Sequence, residues 1–350
     1  MGNHLSNLLV DRALFLNFLI SKDGLAIIPV VSLSSNEIII GPNIRKQITM
    51  GKITILDGGM GRELEKRGAP FKQPEWSALA MMDTPDIVKD VHKAFIASGA
   101  SVITTNSYAL VPFHIGEKRF NYKGKSLATS SGEMARAAVN ETQALIQVAG
   151  SIPPLFGSYR ADLYRPERVV EIATPLIEGL RPYVDLWLCE TQSLIDEPIH
   201  IKSLLDNLDI QNKPFWVSFT LEDSQSNSEP LLRSGEPVAE AVKAMVDANA
   251  DAVLFNCCQP EVIGRAIETT RAQLTSLDNK NIEIGAYANA FPPQPKDAKA
   301  NEGLNELRAD LTPGSYLNWV RQWVQDGATL IGGCCGIGPE HIAVLSEKLT

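Results

Sequence analysis

The chain has 350 residues, 44% of them apolar, with 32 basic and 41 acidic side chains and a net charge of −9. That length suits one large domain or two ordinary ones, and the apolar share fills a core, which excludes a disordered or fibrous chain. An acidic chain without basic runs lacks the electrostatic footprint of a nucleic-acid binder, no stretch is long and apolar enough to read as a membrane span, and 5 cysteines without a secretory signal point to a reducing compartment, the cytoplasm.

The first fifty residues stand apart. The apolar run at 13–20 is too short to cross a bilayer and has no small-residue cleavage site behind it. Segments 24–31 and 37–41 have some strand character. Met50-Gly51-Lys52 leads directly into the first firm strand, so Met50 is read as an alternative start. This gives an N-terminal extension over 1–50 and a folded domain over 51–350.

From there on, short apolar runs alternate with longer amphipathic segments, the pattern of repeated βα units and a parallel sheet. The runs at 53–56, 101–104, 154–156, 184–188, 215–219, 252–255, 282–286 and 329–331 read as eight strands. Helices are expected at 87–98, 132–148, 166–180, 197–208, 237–248, 260–277, 314–326 and 339–348. Thr84 is placed to cap the first, Pro85 to fill its first turn and Gly99 to close it. The polar segments 120–131 and 222–236 read as loops, either over a site or simply solvated.

Eight such units predict a single-domain (β/α)8 TIM barrel, whose active site gathers at the C-terminal ends of the strands. The candidates found there are Asp57, Thr105, Asn106, Gly157, Glu190, Cys257, Tyr287, Asn289, Cys334 and Cys335, with Tyr287 and Asn289 placed by position alone. Barrel closure sets the last strand beside the first, so Asp57 is expected near Cys334.

Four of the five cysteines form two doublets, Cys257-Cys258 and Cys334-Cys335, each following an apolar run. A buried cysteine is commonly a small core hydrophobe, and adjacent cysteines bridge each other only with strain. The paired placement favours a metal or nucleophile site, since catalytic zinc takes three protein ligands and leaves a fourth position open. A thiol-redox protein and a non-catalytic zinc barrel are the competing readings, and a bound metal would block redox chemistry.

The motifs Asp57-Gly58-Gly59-Met60-Gly61, Thr104-Thr105-Asn106-Ser107-Tyr108, Cys189-Glu190-Thr191, Asn256-Cys257 and Gly332-Gly333-Cys334-Cys335-Gly336, in that order from about Ile53 onward, resemble those of the homocysteine S-methyltransferases. The resemblance implies a Zn2+-dependent barrel that moves a methyl group from a small activated donor, S-methylmethionine or S-adenosylmethionine, to the thiol of L-homocysteine. It implies Cys257, Cys334 and Cys335 as the metal ligands; Cys258, which the motif does not require, reads as packing with a swap into the ligand set as the alternative, and Cys189 reads as core from its place at the end of the fourth strand. Glu190 would hold the amino group of homocysteine, Asp57 would orient it, and the backbone of Gly58 and Gly59 would lie near its carboxylate. Thr105 and Asn106 would line the pocket. Partners are then small molecules, with no nucleic acid or membrane, and the oligomeric state stays open. A betaine-type donor is the runner-up and would call for an aromatic cage, with Trp76 as one wall.

The chemistry agrees with that implication. A free alkyl thiol has a pKa near 8.5, so only a few per cent is thiolate at neutral pH, whereas a metal-bound thiol is deprotonated. Three cysteine ligands make a poor Lewis acid but keep a bound sulfur electron-rich, which suits a nucleophile better than hydrolysis.

Overall fold

The computed structural model describes residues 52–209, 213–223, 229–293 and 306–350, together with the backbone of two two-residue strands nearer the N-terminus. The chain divides into two units, Met1–Lys52 and Ile53–Thr350. In the first, Leu16–Asn17 pairs antiparallel with Val30–Val31; the rest of that unit up to residue 51, including the strand character at 37–41 and the start at Met50, lies outside the described residues.

The second unit is a parallel barrel. Its strands are β1 (Thr54–Ile55), β2 (Val102–Thr104), β3 (Gln147–Ile152), β4 (Leu186–Gln192), β5 (Phe215–Phe219), β6 (Ala252–Asn256), β7 (Glu283–Tyr287) and β8 (Leu330–Ile331). Every ladder is parallel, β8 pairs with both β7 and β1, and the remaining seam is closed by a bridge from Leu56 to Val102. This is the (β/α)8 barrel expected from the alternation of runs. Among the described residues no helix is long and apolar enough to cross a membrane.

Strands buried on both faces read as continuous apolar runs, and their period of two separates two cores. In β5, Phe215, Val217 and Phe219 face the helical layer, whereas Trp216 joins Leu186, Leu188, Leu254 and Leu330 inside the barrel. The same alternation carries Ser218, Glu190, Asn256 and Tyr287 onto the inner face at the C-terminal strand ends. The barrel interior therefore changes from apolar to polar where the strands stop.

The structure corrects the sequence reading in one region. The third strand is 147–152 rather than 154–156, and the segment 120–131 is not a loop but part of a helix, Glu117–Asn140, which ends well before Val148. Its polar residues are one exposed face, while Phe120, Leu127, Ala128 and Ala135 recur at helical spacing and are buried. Its small residues allow close packing: a Cβ on Gly179 of the next helix would stand 2.7 Å from the carbonyl of Lys125. Thr84 also departs from expectation, since its hydroxyl makes no hydrogen bond, although Pro85 does open the helix Pro85–Ala97 and Gly99 follows it with φ +99°. Of the second expected loop, 224–228 lies outside the described residues, and its ends are drawn together by the antiparallel bridge of Leu221 to Leu232.

Candidate metal centre and substrate pocket

The sulfurs of Cys257, Cys334 and Cys335 lie within 4.8 Å of one another. Cys257 follows β6 in a left-handed backbone conformation, φ +54°, which turns its side chain over the barrel mouth. Cys334 and Cys335 follow β8, and Gly336, with φ +84°, turns the chain away behind them. Thiol-to-thiol hydrogen bonds from Cys257 and Cys334, aided by the charge of Arg62, push Cys335 towards ionisation, while the same contacts from Cys257 and Cys335 hold Cys334 protonated. Such a cluster fits a soft dication. Tetrahedral zinc with Zn–S of about 2.3 Å needs sulfurs roughly 3.8 Å apart, and no disulfide consumes any of the three.

Asn256 braces the cluster. Its Oδ1 accepts from the Thr191 N–H at 3.0 Å and the Ser218 hydroxyl at 2.7 Å, and its Nδ2 donates to the Thr191 hydroxyl at 2.8 Å while standing 4.0 Å from the Cys334 sulfur. The Tyr159 hydroxyl donates to the Cys257 sulfur at 3.0 Å, under an Arg233 guanidinium 5.4 Å from its ring centre. Cys258 and Cys189 are fully buried in the core between sheet and helices, as expected.

The two carboxyl groups sit beside this cluster on the inner rim. Asp57 accepts from the Thr104 N–H at 2.7 Å and its hydroxyl at 3.2 Å, and Glu190 accepts from the Ser151 hydroxyl. Burial raises Asp57 to about 7, with the neighbouring charge of Glu190 adding to it. Burial likewise raises Glu190 to about 7, with Cys257 contributing. Two carboxyl groups in this state are poised to ionise when a cation arrives.

The remaining candidates are tied into the frame around the rim. Thr105 Oγ1 accepts from the Ser151 N–H at 3.0 Å and lies 2.9 Å from the Ser107 hydroxyl, and Asn106 donates to the Ser77 carbonyl at 3.1 Å. Gly58 and Gly59 make the close approach expected of them, but to protein backbone. A Cβ on Gly58 would stand 2.3 Å from the Ile337 carbonyl oxygen and one on Gly59 2.5 Å from that of Cys334, and the Gly59 N–H is already donated to Ile337 at 2.9 Å. The first and eighth βα loops are thereby locked together, which brings Asp57 to the Cys334 side as barrel closure required. Asn289 is buried behind the rim, where its Oδ1 accepts from the Phe291 N–H at 3.3 Å. Trp76 packs edge-on against Phe71 with ring centres 5.4 Å apart.

Ser151, Ser218 and Tyr159 were not singled out from sequence. Continuing the alternation from Trp216 would have turned Ser218 inward, and Ser151 was hidden by the misplaced third strand. No local signal marks Tyr159.

Comparison with known proteins adds a family context. The profile of the homocysteine S-methyltransferase family matches residues 54–349. The homocysteine S-methyltransferase of Escherichia coli K12 is 29% identical over 324 residues, covering 87% of this chain and 98% of that protein. The selenocysteine methyltransferase of Astragalus bisulcatus is 26% identical, covering 86% of this chain and 93% of its own. Among solved structures, the homocysteine methyltransferase MmuM from Escherichia coli in its metallated form superposes with a TM-score of 0.67 at 27% identity, covering 85% of this chain and 96% of that one.

Proposed function

The chain belongs to the homocysteine S-methyltransferase family and is an enzyme that methylates homocysteine, and from that premise we propose that its metal is zinc and its donor a small sulfonium compound, S-methylmethionine or S-adenosylmethionine. The convergence of three thiols, Cys257, Cys334 and Cys335, with two carboxyl groups, Asp57 and Glu190, on one rim is the observation that supports this most. The three cysteines would hold the zinc, which when bound keeps the thiol of homocysteine ionised at neutral pH. A reducing compartment such as the cytoplasm keeps the cysteines competent for that task.

Glu190 takes the ammonium group of homocysteine and Asp57, fixed by Thr104, orients it. An ammonium within a few ångströms favours the ionised carboxylate, so substrate binding itself completes the charge pairing. The turn at Gly58 and Gly59 forms the wall against which the carboxylate rests, and Thr105 and Asn106 tie the neighbouring end of β2 to β3 and to the Ser77 carbonyl. Asn256 and Tyr159 keep the Cys257 and Cys334 sulfurs directed at the mouth. In the transfer, the donor S–CH3 bond breaks and its electron pair stays on the donor sulfur. The homocysteine sulfur supplies the pair for the new S–CH3 bond, and its thiol proton passes to solvent. With S-methylmethionine both products are methionine. An anionic rim attracts a sulfonium cation and gives nothing to a neutral donor. The same reading assigns the whole activity to residues 51–350.

Zinc content and turnover in one reduced preparation test the proposal. About one zinc per chain, with methionine formed from a sulfonium donor, is the expected result. Turnover with betaine alone would overturn the donor, and reduced protein without metal would overturn the zinc site.

A further inference from the structure

Tyr287 ends β7 on the inner face of the barrel and is only 6% exposed, yet its hydroxyl makes no well-formed hydrogen bond, with only Ser218 at its side. Its neighbours on the polar ring are engaged. Ser151 donates to Glu190, Ser218 donates to Asn256 at 2.7 Å, Asn256 donates to Thr191 at 2.8 Å, and Thr104 serves Asp57. A buried polar group without a partner is a net cost, which a phenylalanine of the same shape would avoid. Glu190, Cys334 and Cys257, the groups proposed to hold substrate and metal, act on the hydroxyl electrostatically, and Ser218 lies beside it.

The direction of the hydrogen bonds assigns a role to the free hydroxyl. Ser218 has committed its proton to Asn256 Oδ1, so the side it offers Tyr287 is a lone pair. The phenolic proton is drawn that way, which leaves the phenolic oxygen as an acceptor towards the pocket. An ammonium group brings three N–H donors, as on lysine, and Glu190 and Asp57 are two acceptors for it. We propose that the Tyr287 hydroxyl oxygen is the third acceptor for the α-ammonium group of homocysteine, and that Tyr287 is the residue by which the pocket selects α-amino thiols over thiols lacking that group. This rests on the proposed function and adds to it a specificity-determining contact.

The test is calorimetric titration of the zinc-loaded full-length protein, wild type and Tyr287→Phe, with homocysteine and with 4-mercaptobutyrate, the same thiol without its amino group. Tyr287→Phe should weaken homocysteine about tenfold, the scale of one hydrogen bond to a charged group, and leave 4-mercaptobutyrate unchanged. In steady state the KM for homocysteine should rise by the same factor, with kcat and the donor KM held. The melting temperature should change little, because the hydroxyl removed makes no well-formed hydrogen bond within the protein. Equal weakening of both thiols, or an unchanged preference between them, would overturn the role of Tyr287 while leaving the methyl transfer standing. A wild-type protein that binds neither thiol would instead sink the functional reading, and this contact with it.

Discussion

Asn256 and Thr191 hold one another twice: the Thr191 N–H donates to Asn256 Oδ1 at 3.0 Å, and Asn256 Nδ2 donates to the Thr191 hydroxyl at 2.8 Å. The exchange joins the ends of β6 and β4 across the end of β5, whose Ser218 shares the same acceptor. Thr191 is left-handed, φ +58°, and so is Cys257 immediately after Asn256. One amide therefore fixes the two turns that present Glu190 and the first thiol of the cluster.

Asn256→Ala leaves the Thr191 N–H and the Ser218 hydroxyl without their acceptor inside the barrel. At about 1–3 kcal/mol for each buried group stranded, urea unfolding should show a loss of roughly 2–6 kcal/mol, and the protein should surrender zinc to a chelator sooner than wild type. Unchanged stability with unchanged metal retention would mean that the turns hold without the amide.

Single replacement of Cys257, Cys334 or Cys335 by alanine should abolish metal binding and methyl transfer while circular dichroism still reports a folded barrel. Cys258→Ala makes the contrast: it creates a small cavity in the core, costs about 1 kcal/mol and keeps the metal. Elemental analysis of the four variants decides each ligand separately, because a variant that retains stoichiometric zinc removes its cysteine from the set.

Glu190→Gln keeps the shape of the side chain and an oxygen for Ser151 but gives up the charge offered to an ammonium. The KM for homocysteine should rise at least tenfold, in keeping with a charge-assisted hydrogen bond, and that of the donor far less. An unaltered homocysteine KM would take Glu190 out of the amino-acid pocket.

A chain starting at Met50 should retain zinc and full specific activity, since the barrel unit begins at Ile53 and the family match at residue 54. A large loss of turnover in that truncation would give residues 1–49 a part in the enzyme.

His92 is fully buried on the helix Pro85–Ala97, both ring nitrogens lack partners, and burial lowers its pKa from 6.5 to about 3. The unfolded chain therefore binds a proton that the folded chain refuses. The sign follows: proton linkage at this residue costs nothing above pH 6.5, and stability is lost as pH falls below it, by about 1.4 kcal/mol per pH unit until the folded value is reached. His92→Leu should be more stable than wild type by roughly 2 kcal/mol at pH 5 and should flatten the acid limb of the unfolding profile. Parallel limbs in the two proteins would show that His92 does not titrate on unfolding.

The barrel and the meeting of the three thiols were legible because they rest on local patterns. Apolar runs such as Phe215 to Phe219 mark buried strands whatever lies around them, and two cysteine doublets at strand ends stand out from a sequence with five cysteines. The third βα unit was misread because Ser, Gly and Lys between 120 and 131 resemble a loop. Their helical role depends on the packing of Gly179 and its neighbours, which is a tertiary fact. Tyr159 reaches Cys257 from a different strand's loop, 98 residues away in the chain, so no spacing rule could pair them. The fate of the Gly59 N–H was equally hidden, because its acceptor belongs to the eighth loop.

The glycine-lined seam between β1 and β8 has a consequence for how such an enzyme can diversify. A methyl group on Gly58, Gly59 or Gly332 would fall within 2.8 Å of heavy atoms of the opposing segments, so larger side chains there force the first and last strands apart. Variation on this side of the mouth is closed to gradual change. New donors or acceptors must be accommodated by loops that carry none of the three thiols. The seam acts as a fixed jaw, and change is left to the remainder of the mouth.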